Sequence, residues 1–233
     1  MASFASSDPS TTDEINNSPI LSALGHLWNG RYEMWSSRNL TYTLNIGDNN
    51  PDGEAVGLWT DALSAAISTA HADIEAISQL TFTEVPDSVI GTDGADIDYW
   101  AYDNPNDGAA GFSYGVAGPG VYIDMADVYA PDASTGDGLE YGGINYLTVI
   151  HELLHNLGMS HPHDGAFVFP GVTSPWDTGD HALNQNLYTV LSYNSVRQLD
   201  ANGDETTGYP FTFNTVDRSF SVLGTFDIAF IQT

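Results

Sequence analysis

Residues 20–35 form an apolar and aromatic run, and from residue 40 to 46 apolar and polar positions alternate. Alternation of period two predicts a strand with one buried face. The Gly- and Asn-rich cluster at residues 47–53 predicts a turn after it. From residue 58 to 78 the period changes. Ala62, Ala66, Thr69 or Ala70, Ile74 and Ile77 recur every three or four positions, which predicts an amphipathic helix. Strands are predicted again over residues 80–85, 95–102 and 120–126, with a short glycine-bounded strand within 109–115. A second helix is predicted over 143–157, burying Tyr146, Leu147, Ile150, Leu153, Leu154 and Leu157, and another begins within 225–233. Five strands among helices predict an α+β domain.

Composition narrows this picture. The chain has 233 residues, 42% of them hydrophobic, enough for a sizeable core. Residues 1–17 are rich in Ser, Thr and Asp. They lack the basic and apolar regions of a secretory signal peptide and are expected to be a flexible tail, leaving residues 18–233 as one domain. No apolar run is long enough for a membrane helix. Without cysteine, neither disulfides nor thiolate metal sites are available. Acidic residues total 31 against four basic ones, a net charge of −27, which argues against nucleic-acid or anionic-membrane partners.

The chemistry concentrates in His151-Glu152-Leu153-Leu154-His155-Asn156-Leu157-Gly158-Met159-Ser160-His161-Pro162. His151 and His155 are four apart, so a helix stacks them on one face, where they can hold one metal ion. Gly158 can take a left-handed conformation, end the helix and turn the chain back, bringing His161 in as a third ligand. Three imidazoles suit zinc and leave a fourth position for water, as in catalytic rather than structural sites. Glu152 is placed to hold that water as general base. His163 and Asp164 are alternative ligands, with the spacing favouring His161. His71 and Glu75 share the same four-residue spacing on the first long helix and are expected to form a polar face. His181 is expected at the surface. Asp132, Asp137 and Glu140, and the acidic stretch 200–205, are candidate calcium oxygens without EF-hand spacing.

The twelve-residue stretch resembles the metzincin signature H-E-x-x-H-x-x-G-x-x-H. Pro162 after the third histidine resembles the serralysin group, secreted bacterial zinc endopeptidases. The likeness runs from about residue 20 to 233 and is strongest between 141 and 195. It implies a zincin-like catalytic domain: a twisted, mixed five-stranded sheet, two long helices and an irregular C-terminal subdomain. It also implies zinc on His151, His155 and His161, with Tyr193 as a further, movable ligand and catalytic group. Leu191 stands where the family carries the methionine that floors the zinc site. Peptide substrates are expected on an edge strand, here Ala110, Gly111, Phe112, Ser113 and Tyr114. The implied function is a monomeric, secreted endopeptidase made without an N-terminal signal peptide. The family's C-terminal calcium-binding Gly-Gly-x-Gly-x-Asp repeats do not occur in these 233 residues. The rival reading, prompted by Leu191, is a non-catalytic module of the same fold that binds protein or carbohydrate.

Overall fold

The computed structural model describes residues 4–6, 15–45, 59–86, 95–102, 109–116, 118, 120–125, 138–194 and 222–233. Among these the strands are β1 (Phe4–Ser6), β2 (Leu27–Trp28), β3 (Arg31–Trp35), β4 (Asn39–Leu44), β5 (Thr81–Glu84), β6 (Ile97–Tyr102), β7 (Gly111–Ser113) and β8 (Gly120–Asp124). The helices are α1 (Pro19–Leu24), α2 (Asp61–Ile77), α3 (Ile144–Asn156) and α4 (Thr225–Ile231). The main sheet has five strands in the order β5-β4-β6-β8-β7. Its pairings are parallel except that β7 runs antiparallel to β8 at one edge. This is an α+β arrangement built on a mixed, mostly parallel sheet.

Period two decides what each strand buries. In β6, Ile97, Tyr99 and Ala101 join the main core with α2 and α3, while Trp100 and Tyr102 point the other way into an aromatic layer with Tyr122 and Phe112. Every residue of β8 is buried, as expected of a central strand covered on both faces. Helix α2 opens at Thr60, whose hydroxyl accepts from Leu63 N–H. Its core stripe is Leu63, Ala66, Ile67, Ala70, His71 and Ile74.

His71 therefore does not belong to a polar face. It is 4% exposed, stacks on Phe82 with ring centroids 4.1 Å apart, and its Nε2 lies 2.8 Å from the Tyr99 hydroxyl. Glu75, one turn on, accepts from Phe82 N–H at an exposed position. The two share a spacing and diverge in environment, because His71 lies within the stripe that runs from Leu63 to Ile74. Burial holds the His71 imidazole down at a pKa of about 3.

The N-terminal residues also differ from a simple tail. Phe4–Ser6 pair antiparallel with Trp35–Glu33, and Ile15 is buried. Beyond α3, residues 157–194 contain only one short 3-10 turn, at Asp180–Ala182, which holds the exposed His181. Among the described residues no helix is long and apolar enough to cross a membrane.

Candidate metal centre

Helix α3 supplies the first two histidines because its apolar face, Tyr146, Val149, Ile150, Leu153 and Leu154, is fully buried. Turned away from that face, His151 and His155 look into a cleft. The helix ends at Asn156, and Gly158 takes φ +94°, a conformation open to glycine and strained for other residues. A side chain there would also strike the Glu33 carbonyl. Met159 N–H then returns to Leu154 O at 3.0 Å. The redirected chain is clamped by the segment before β2. Ser160 N–H donates to Leu24 O, and His26 N–H to Gly158 O, each at 2.8 Å. This clamp delivers His161.

The three Nε2 atoms converge. His151 to His161 is 3.1 Å, His155 to His161 is 3.1 Å, and His155 to His151 is 3.2 Å. Each ring's other nitrogen is already committed. Nδ1 of His151 lies 2.8 Å from Val190 O, Nδ1 of His155 lies 2.8 Å from Met159 O, and Nδ1 of His161 lies 2.7 Å from Asp164 Oδ2. Carbonyl and carboxylate oxygens only accept, so each Nδ1 carries the proton. The neutral rings are thereby left with three bare Nε2 lone pairs facing one another. Such an arrangement repels unless a cation sits among them. Nitrogens held 2.0–2.1 Å from one tetrahedral ion lie about 3.3–3.4 Å apart, close to the spacing found. The donor set therefore fits a zinc ion, with a partner behind each ligand fixing its orientation.

The protonation energetics agree with neutral ligands. Burial, then the neighbouring His155 and His161, push His151 well below the usual imidazole value, and burial brings His155 down to about 4. Burial alone would raise Asp164, but the His161 hydrogen bond and the nearby imidazoles hold it below the ordinary carboxylate range. Glu152 is 6% exposed, and burial pushes it up to about 8. A cation at the nitrogen triangle would draw it back toward the carboxylate.

The alternatives near the third ligand separate cleanly. Asp164 backs His161 from the Nδ1 side, while His163 stacks on the His161 ring, centroids 4.9 Å apart, with its buried Nδ1 unpartnered. His161, His163 and Asp164 lie near enough to form a second ligand group, in which Asp164 already holds His161 through its Nδ1. Tyr193 is 45% exposed, with its ring centroid 4.8 Å from His161 and 6.1 Å from His151. Its phenol is raised by burial, then by the charges of Asp164 and Glu152. Leu191 is fully buried, directly after the Val190 whose carbonyl orients His151.

A cavity of about 460 Å³ gathers His151, Glu152, His155, His161 and Tyr193 along one side and Gly111–Gly115 along the other. Among the described residues strand β7 is an edge of the main sheet, so Gly111, Phe112 and Ser113 border the cleft as a strand, with Ala110 and Tyr114 flanking it. Gly111 allows close approach: a Cβ there would come within 2.9 Å of Glu152 Cγ. Glu140 is described, whereas Asp132, Asp137 and residues 200–205 lie outside the described residues.

Three contributors had no sequence signal of their own. His26 lines the cleft, Glu33 lies behind it, and Asp227 of α4 grips the turn beneath His151. All three are distant in sequence from the histidine motif, and only the fold brings them to it. No family model matches this chain, and no curated protein matches it either.

Proposed function

We propose that this protein is a zinc-dependent endopeptidase of metzincin type, similar to the serralysins. The observation that carries the reading is the triangle of three converging Nε2 atoms, 3.1–3.2 Å apart, beside a buried glutamate at the edge of a strand-lined cleft. Bound zinc would supply a Lewis acid and a water acidified toward neutrality.

The chain's own residues then have distinct tasks. As an edge strand among the described residues, β7 offers its main chain to an extended peptide, giving affinity without regard to sequence. Glu152, beside Gly111, takes a proton from the attacking water and returns it to the leaving amide nitrogen. The Tyr193 hydroxyl donates to the oxygen of the scissile carbonyl as negative charge develops there. Val190 O, Met159 O and Asp164 hold the three ligand rings in one tautomer. We also propose that it works outside a bacterial cell as a monomer, with Asp132, Asp137 and Glu140 as candidate calcium oxygens.

Leu191 supports a competing reading, a binding module of the same fold that has lost catalysis. The buried glutamate argues against it, since a carboxylate kept from water costs stability and serves a binder little. Casein digestion by the protein stripped with a chelator and then reloaded with zinc separates the two. The peptidase reading expects cleavage to vanish and return. A zinc-loaded protein that binds casein and leaves it intact favours the module.

A further inference from the structure

Behind the cleft, against the turn at Gly158, the structure buries a second acidic group for which the proposed chemistry has no use. Glu33 is 1% exposed. Its Oε2 lies 2.8 Å from His26 Nδ1, and its Oε1 is buried without a hydrogen-bond partner. Strand β3 would hold its place equally well with an apolar side chain, and a half-satisfied buried carboxylate is costly. Its evident effect is on His26. The carboxylate accepts Nδ1–H and thereby fixes the ring, while the backbone of His26 is fixed by its N–H to Gly158 O and its carbonyl to Glu33 N–H. The ring is 42% exposed and lines the same cavity as the metal ligands. Its Nε2, on the far side of the ring from Glu33, has no hydrogen-bond partner among the described residues.

The position along the cleft follows from two glycines. Gly111 sits against Glu152, and Gly115 sits against Glu33 and His26. Three residues lie between them: strand β7 ends at Ser113, and the chain turns at Gly115, where φ is +76°. Antiparallel pairing is the stronger mode for an added strand. A peptide laid antiparallel to β7 reaches Gly115 with residues that precede the bond held near Glu152.

Resting on the peptidase reading of this cleft, we infer that His26, buttressed by Glu33, is a specificity-determining residue that selects a polar, hydrogen-bonding side chain two to four residues before the scissile bond. Nε2 is a lone pair in the neutral ring and an N–H in the charged one. An amide or hydroxyl satisfies either form and a carboxylate the charged one, whereas an aliphatic side chain satisfies neither.

The test uses decapeptides randomised at six central positions, retained by the zinc-loaded Glu152→Gln protein and sequenced. Retention needs no turnover, so it is read independently of catalysis. The same library cut by the wild-type protein locates the scissile bond. The Glu152→Gln protein is expected to enrich polar over aliphatic residues about tenfold at one position before that bond, the worth of one well-placed hydrogen bond. Adding His26→Ala erases that enrichment and leaves the other positions unchanged. Adding Glu33→Gln, which keeps an acceptor for Nδ1–H, retains it. An unchanged profile in His26→Ala, an enrichment located after the bond, or no peptide retained overturns the inference. Peptides retained with the His26 signature but never cut by the wild-type protein uphold the subsite and overturn the catalytic reading instead.

Discussion

Asp227 and His151 are joined through a single residue. The Asp227 carboxylate accepts Val190 N–H at 2.9 Å, and the carbonyl of the same Val190 accepts Nδ1–H of His151 at 2.8 Å. Asp227 also accepts from the Thr189 hydroxyl at 2.5 Å and from Gly224 N–H at 2.8 Å, and it is fully buried. Burial raises it to about 6 despite those three bonds, which pull the other way. One carboxylate thus caps α4 and fixes the turn that orients His151.

Removing that carboxylate should loosen the metal site without touching a ligand. Asp227→Ala is expected to weaken zinc affinity about 10–100-fold, the usual effect of losing a group that orients a ligand. Asp227→Asn keeps an oxygen for the two N–H donors and can reverse the Thr189 bond, so its affinity should stay within a few-fold of wild type. Competition with a chromogenic chelator measures both. Equal affinity in Asp227→Ala and wild type would show that the turn holds itself.

The buried His71 gives a pH dependence remote from the metal. Its folded pKa, about 3, lies below the usual 6.5 because burial disfavours the cation. A base depressed in this way adds stability that is fully present above pH 6.5. That stability is lost as pH falls through the window from 6.5 to 3. At 1.36 kcal/mol per pH unit, the full loss is up to about 5 kcal/mol. His71→Phe keeps the ring stacked on Phe82 and removes the titration. Denaturation midpoints from pH 7 to 4 should fall more steeply for wild type than for His71→Phe. Parallel slopes would remove His71 from the account of acid sensitivity.

Leu191 tests how much the site depends on its floor. Leu and Met are close in volume, and such exchanges in a core typically cost under about 1.5 kcal/mol. Leu191→Met should therefore shift stability by no more than that and leave the zinc stoichiometry unchanged, as read by thermal unfolding and metal analysis. A large loss of stability would mean that the surrounding core is shaped around the leucine.

Much of the centre was legible because its signals are local. A four-residue histidine spacing, a glycine at the turn and a third histidine are all set by helix geometry and one backbone conformation, and the structure brings these three rings together. The five strands were legible for the same reason, since alternation is short-range. The partners were not. Val190 O and Met159 O are backbone atoms with no residue signature. Asp227 lies 76 positions from His151. Spacing alone misread His71, because four-residue periodicity does not say which face of a helix turns inward. The packing of Phe82, Tyr42 and Tyr99 around the ring decides that. The pairing of residues 4–6 with β3 is likewise set by a partner strand some 30 residues away.

Substitution of Glu152 isolates the proposed catalysis by a metal-assisted glutamate. Glu152→Gln preserves the shape of the side chain and all three ligands while removing the base. The most direct measurement is the casein cleavage rate of purified Glu152→Gln against wild type, both analysed for bound zinc. About one zinc per chain is expected in each, with chelator-sensitive cleavage by wild type and loss of at least roughly a hundredfold in the variant. Cleavage at the wild-type rate by zinc-loaded Glu152→Gln, or none by zinc-loaded wild type, would contradict it.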